Sequence, residues 1–155
     1  MSKDLLLKEL SQKIGQRIHQ SEWMVVTQEM INAFAAATFD QQWIHVDPIR
    51  AEKESHFETT IAHGYFTLSL YPHLRGLVDP QNTPFPGVKN IINYGLNKLR
   101  FPAPVRVNSK IRANCTVLSI TEVKGSLQLV EEYSIEVEGQ ERPACVAECI
   151  MRLYF

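Results

Sequence analysis

Asp40 and His45 stand five residues apart in the run Asp-Gln-Gln-Trp-Ile-His, just beyond a helix-like stretch. A carboxylate and an imidazole can together position and deprotonate a water molecule, the histidine titrating near neutrality and the aspartate holding a second hydrogen bond to the same oxygen. In an extended chain the pair would lie ~16 Å apart, so this chemistry requires a tight loop. The same residue types serve as helix caps and surface groups, and spacing alone leaves both readings open. Ile61-Ala62-His63-Gly64 precedes an apolar helical segment. An N–H at the start of a helix is free to donate to an oxygen that gains negative charge. Gly64 would let such an oxygen approach the backbone, or it marks a turn or close packing that excludes a Cβ. His45, Asp47 and His63 offer ligand atoms, but their spacing fits no standard His/Cys pattern, and no metal is expected. The sequence contains no G-x-S-x-G elbow, no P-loop and no G-x-G-x-x-G after a strand, so covalent serine chemistry and nucleotide binding gain no support.

The elements that must position these residues follow from hydrophobic period. Leu6, Leu10, Ile14 and Ile18 recur every four residues and predict an amphipathic N-terminal helix, a packing arm over about residues 3–19, with Gly15 weakening its end. Trp23 to Val26 reads as a short strand. Thr27 then caps a helix with Met30, Ile31, Phe34 and Ala35 on one face, ending near Ala37 or Thr38. Asp47-Pro48 starts a short helix to about Glu54. Tyr65 to Arg75 is apolar nearly all round, which places it in the middle of the domain. Asp79 to Gly87, with three prolines, is a surface loop. Beyond it the period becomes two, in Val88–Phe101, Ser109–Val123, Leu127–Val137 and Ala144–Phe155. Lys124-Gly125 and Glu138-Gly139-Gln140 are turn signals that make neighbouring strands antiparallel. The resulting class is α+β, one mostly antiparallel sheet wrapping the apolar helix.

Composition bounds the rest. At 155 residues, 45% hydrophobic and 21% charged, the chain is a folded globule of one domain over residues 1–155. Sixteen basic against seventeen acidic residues leave −1, without the broad positive field of a nucleic-acid or anionic-membrane binder. No apolar run approaches the ~20 residues of a membrane span. The apolar core near the N-terminus is too short for a secretory signal. Cys115, Cys145 and Cys149 are odd in number, and on one strand the last two would sit ~13 Å apart, too far for a bridge. Three reduced thiols and a cytoplasmic location are expected.

Phe34-Ala-Ala-Ala-Thr-Phe-Asp40-Gln-Gln-Trp-Ile-His45-Val-Asp-Pro-Ile-Arg-Ala51, then Ile61-Ala-His-Gly64, Asn93-Tyr-Gly95, and Lys98-Leu-Arg-Phe101 with Pro104-Val105, form a recognisable combination. From about Gly15 onward the chain resembles MaoC-like (R)-specific enoyl-CoA hydratases, especially their NodN-like branch. The resemblance implies a hotdog fold, an antiparallel sheet curled around one central helix, usually paired into a homodimer. It also implies that Asp40 and His45 activate water for addition across a 2-enoyl thioester, or return it in dehydration. The Gly64 N–H would hold the thioester carbonyl. The substrate's handle would be CoA or an acyl carrier protein, with no further cofactor and no nucleic-acid or membrane partner. Lys98 or Arg100 could meet a CoA phosphate, or simply lie on a solvated strand face.

Three departures from the family pattern stand out. Phe39 occupies the place where the family usually has glycine before the catalytic aspartate. Gln42-Trp43 replaces the usual Asn-Pro. A helix serine that holds the catalytic loop in some hydratases has no obvious counterpart, Pro72 lying near its place. Two other functions share the fold. A hotdog thioesterase would place its carboxylate on the central helix, and Tyr65 to Arg75 contains none. A non-catalytic acyl-thioester-binding protein would keep the fold and lose the aligned pair, and Phe39 is the feature that favours it.

Overall fold

The computed structural model describes residues 1–155. Ser2 caps the first helix, α1 (Lys3–Ser11), its Oγ accepting from the Leu5 N–H, and Leu6 and Leu10 are buried on its inner face. The helix does not continue to about residue 19. Gly15 adopts a φ of 79°, and Arg17–Gln20 forms β1 instead. The Ile14 and Ile18 repeat is therefore not a helical face, because pairing with the sheet edge outweighs a period that glycine interrupts.

After β2 (Met24–Val25), Thr27 accepts from the Met30 N–H and opens α2 (Gln28–Thr38). This helix ends at Phe39, whose φ of 62° and ψ of 13° are left-handed. A non-glycine residue there costs roughly 1–2 kcal/mol. The Phe39 ring is 88% exposed, so it neither enters the core nor fills a cleft of this chain. A single unexpected turn, α3 (Trp43–Val46), follows, and Asp47 then caps α4 (Pro48–Glu54) by accepting from the Arg50 N–H at 3.0 Å.

The central helix runs in two pieces, α5 (Gly64–Ser69) and α6 (Tyr71–Leu74), where one run over 65–75 is expected. Pro72 has no N–H to continue the ladder. Phe66, Thr67, Tyr71, Leu74 and Arg75 are buried, while Tyr65, Ser69 and His73 form an open row spaced by one turn. No helix is long and apolar enough to cross a membrane.

The remaining strands are β3 (Asn90–Arg100), β4 (Lys110–Val123), β5 (Ser126–Val137) and β6 (Cys145–Tyr154). All pairings are antiparallel, in the order β1-β4-β5-β6-β3, with β2 also on β4. The alternation in the sequence fixes the register: Ala113 faces Ile135, Cys115 faces Tyr133, Leu129 faces Met151 and Tyr133 faces Ala147, all buried on one face. That face wraps the central helix, as in the hotdog fold. The edge strand β3 differs, with Ile92, Tyr94 and Leu96 exposed.

One feature of this core has no apolar signature. Arg75 and Glu131, 3% and 0% exposed, form a two-pronged ion pair at 2.9 Å, and the Tyr71 hydroxyl donates to Glu131 at 2.8 Å. Burial opposes the Arg75 charge, and the hydrogen bonds and charge of Glu131 outweigh it, holding the guanidinium's pKa above its ordinary value. The pair ties the end of the broken helix to the centre of the sheet.

Replacing Arg75→Met should destabilise the protein by roughly 3–5 kcal/mol in urea unfolding, because Glu131 is left buried without a counter-charge, and adding Glu131→Met should restore most of the loss. At Phe39 the expected sign is the opposite: Phe39→Gly should stabilise by on the order of 0.5–1 kcal/mol, raising the thermal midpoint by ~1–4 °C, since glycine takes the left-handed conformation without strain.

Candidate active site

Asp40 leaves the end of α2 and His45 lies in α3, so one turn of helix replaces the extended stretch that would separate them. The turn has no side-chain cap, and the Arg50 guanidinium packs over the Trp43 ring at 4.4 Å. The pair is brought to a third residue, His63. Ligand-type atoms of Asp40, His45 and His63 all lie within 4.8 Å of one another, a separation that one water can bridge.

His45 is 7% exposed, and its Nδ1 lies 2.7 Å from the Ile61 carbonyl. A carbonyl can only accept, so Nδ1 carries the proton and Nε2 presents a lone pair. Burial lowers the His45 pKa from its ordinary value of 6.5, partly offset by the bond to Ile61 and reinforced by the neighbouring His63. The neutral, proton-accepting form is thus favoured.

His63 is 3% exposed and its ring stacks on His45, with centroids 3.8 Å apart and planes 26° from parallel. Phe34 packs on it at 5.1 Å. Its Nε2–H donates to the Asp40 backbone carbonyl at 2.9 Å and lies 4.0 Å from the Asp40 carboxylate. By spacing alone Asp40, His45 and His63 could also gather around a metal ion. Asp47, offered by the sequence as a ligand beside the two histidines, is instead the cap of α4.

Gly64 begins α5, so its N–H has no partner within the helix. Its need for glycine comes from packing: a Cβ there would meet the Phe101 ring at 2.7 Å. An apolar cavity of about 280 Å³ lies against Gly64, between Phe57, Thr67 and the Phe101–Val105 segment. A second, of about 430 Å³, lies between Leu68, Tyr71, Pro72 and the Asn93–Leu96 stretch of β3. Neither is lined by Asp40 or His45, although a water-activating pair needs an open space beside it to admit a substrate.

Two supporting residues have no signal in the sequence. Gln28 Nε2 donates to the His45 carbonyl at 2.7 Å, and the Thr60 hydroxyl donates to Gln28 Oε1 at 2.5 Å. Contacts between a side chain and the main chain across such separations follow no local pattern. Lys98 is engaged by Glu148 at 2.8 Å and Arg100 by the Leu99 carbonyl at 2.7 Å. Burial pushes the Cys145 and Cys149 thiols up to about 11 and about 12, and raises Cys115 further, so none is poised as a nucleophile.

Known proteins carry the same arrangement of chain. The MaoC-like domain matches residues 9–139. A 3-hydroxyacyl-thioester dehydratase Z of Mycobacterium tuberculosis is 48% identical over 145 residues, covering 93% of each chain. Nodulation protein N of Rhizobium leguminosarum bv. viciae is 39% identical over 160 residues, covering 98% of this chain and 93% of its own. Among solved structures, an (R)-hydratase from A. caviae involved in PHA biosynthesis superposes with a TM-score of 0.69 at 27% identity, covering 90% of this chain and 96% of its own. With the hotdog sheet and the matched domain spanning most of its length, the chain belongs to the MaoC-like dehydratase family, in its NodN-like branch.

Proposed function

We propose that the protein is an (R)-specific hydro-lyase that interconverts 2-enoyl and 3-hydroxyacyl thioesters, with Asp40 and His45 as the water-activating pair. The observation that carries the residue assignment is the fixed tautomer of His45: its Nδ1–H is committed to Ile61, which leaves Nε2 free to act as the base in a site shared with Asp40. In hydration, water held between the two gives a proton to Nε2 as its oxygen adds to C3 of the enoyl group. The thioester carbonyl gains negative charge and receives the Gly64 N–H. The proton that Nε2 took from the water then passes to C2, which completes the addition and leaves His45 neutral again, and dehydration is the reverse.

The thioester's handle is CoA or an acyl carrier protein. The name of the mycobacterial relative, a 3-hydroxyacyl-thioester dehydratase, supports the substrate class. The thioesterase reading is disfavoured, because the carboxylate nearest the central helix is Glu131 from β5, buried and bound to Arg75. Exposure of the Phe39 ring removes its argument for a blocked, non-catalytic site.

The working unit is a homodimer. Edge strand β3 exposes apolar side chains and unpaired backbone, a surface that a second copy would cover by antiparallel pairing. The free, buried cysteines fit a reducing, cytoplasmic setting, with neither nucleic acid nor membrane as partner.

Incubation with crotonyl-CoA should discharge the conjugated enone absorbance and yield (R)-3-hydroxybutyryl-CoA; release of free CoA in its place would make the protein a thioesterase. Asp40→Asn and His45→Ala should each lower turnover by ~10²-fold or more while the fold persists by circular dichroism. Wild-type rates in either variant would remove that residue from the mechanism. Because burial lowers the His45 pKa, activity should persist as pH falls through 6.5, the acid limb of kcat/KM for hydration lying below that value. A limb above it would assign the base elsewhere. Light scattering at micromolar concentration should give twice the chain mass.

A further inference from the structure

The imidazole of His63 is not required as base, since Asp40 and His45 suffice for the water. It is nevertheless almost fully buried in the site, and its Nδ1 has no hydrogen-bond partner. Leaving a buried acceptor unmet costs on the order of 1–3 kcal/mol. An apolar ring would fill the same space between Phe34 and His45 without that cost.

What an apolar ring would not supply is the bond from Nε2–H to the Asp40 carbonyl. That bond joins two segments carrying different parts of the site. On one side is the turn after α2, where Phe39 holds a strained left-handed conformation immediately before Asp40. On the other is the strip Ile61–Gly64, whose Ile61 carbonyl fixes His45 and whose Gly64 N–H belongs to the peptide that follows His63 itself. The same ring stacks on His45 and so limits how its base can tilt. The Asp40 side chain is 57% exposed and its carboxylate makes no hydrogen bond, so the backbone of the turn is what holds it to the site.

We infer that His63 is a positioning residue for the reaction: its Nε2–H ties the Asp40 backbone to the strip bearing the His45 acceptor and the Gly64 N–H, holding all three at one spacing. The inference rests on the hydratase reading. It assigns His63 no proton transfer: the proton on its Nε2 bonds the Asp40 carbonyl, whereas in His45 the bonded proton is on Nδ1.

Two substitutions separate this role from packing. His63→Phe retains a ring between Phe34 and His45 and loses the donor, whereas His63→Gln retains a donor near the Nε2 position and loses the ring. Packing alone ranks the phenylalanine variant first in both stability and turnover. The tether ranks them oppositely: phenylalanine should give the higher thermal midpoint and a kcat ~10–100-fold below wild type, with KM for crotonyl-CoA within ~3-fold, and glutamine should recover kcat to within ~5-fold. Phenylalanine at wild-type turnover, or glutamine no faster than phenylalanine, would overturn the role while leaving the hydratase reading intact. A wild-type protein without hydratase activity would remove both. If the glutamine variant does not fold, the wild type still decides: imidazole nitrogen shifts should place a proton on His63 Nε2 and on His45 Nδ1, and a His63 Nε2 without a proton would overturn the inference.

Discussion

The site hangs on a short extended strip, Thr60 to His63, that is hydrogen-bonded along both sides. On one side Ala62 N–H donates to the Val105 carbonyl at 2.8 Å, Val107 N–H donates to the Thr60 carbonyl at 3.0 Å, and Ile61 bridges Arg106. On the other, Ile61 N–H donates to the Ile44 carbonyl at 3.1 Å and its own carbonyl receives His45 Nδ1–H. The strip therefore serves at once as a piece of sheet and as the acceptor that selects a histidine tautomer. Its next residue turns into the central helix, so the orientation of the Gly64 N–H is set by the same hydrogen bonds. Thr60 extends the support through Gln28 to the His45 carbonyl, linking the first turn of α2 to α3. Loss of this strip would separate every group in the site.

Two kinds of burial coexist in the molecule, with different consequences. The core face of β4, β5 and β6 is apolar and gains stability roughly in proportion to area removed from water. Arg75 with Glu131, and the stacked histidines, are polar groups in the same interior, and they are tolerated only where partners meet most of their hydrogen-bonding capacity. In the ion pair Nε and Nη2 of Arg75 and both oxygens of Glu131 are engaged, and neither residue leaves a buried atom unpartnered. The histidine pair leaves one, and the unmet Nδ1 of His63 marks where geometry has been kept at the expense of stability. Phe39 is a second local conflict of this kind, at the adjacent turn. Glu58, Asn108 and Lys124 also adopt left-handed backbone and Arg152 Nε is also buried without a partner, but only around Asp40 do strain and an unmet acceptor meet, as they do at a functional site.

The sequence was informative wherever one residue type answers one local demand. Strict alternation in the last three strands predicts their faces, and the observed register pairs them as expected. Thr27 and Asp47 mark helix starts because a side-chain oxygen meets a backbone N–H three residues on. The spacing of Asp40 and His45 was readable, and so was the Ala-His-Gly motif. It failed where tertiary contacts overruled local pattern. A four-residue apolar repeat at Ile14 and Ile18 became a reversal and a strand, since β4 offered an edge to pair with. The apolar segment after Gly64 broke into two pieces, and its Arg75 turned inward to a glutamate 56 residues away. The tie from His63 to a main-chain carbonyl has no residue-type signature at the accepting end, so no sequence pattern could announce it.

Stereochemistry follows from the same asymmetry of exposure. Both imidazoles are nearly closed to solvent, whereas the Asp40 side chain is 57% exposed, so the pair meets a ligand from one side only. The lone pair of His45 lies in the ring plane, and that plane is held at one end by the Ile61 carbonyl and on one face by His63. On the proposed roles, a water between Asp40 and His45 would have one direction in which to attack. Gly64 lies on the strip that holds His45, so a thioester oxygen at its N–H would be anchored relative to that direction. On the proposed roles, a carbonyl end and an attacking oxygen both referred to one strip would leave the planar enoyl group one face to offer, and a single hand of 3-hydroxyacyl product would follow from the backbone that carries the site.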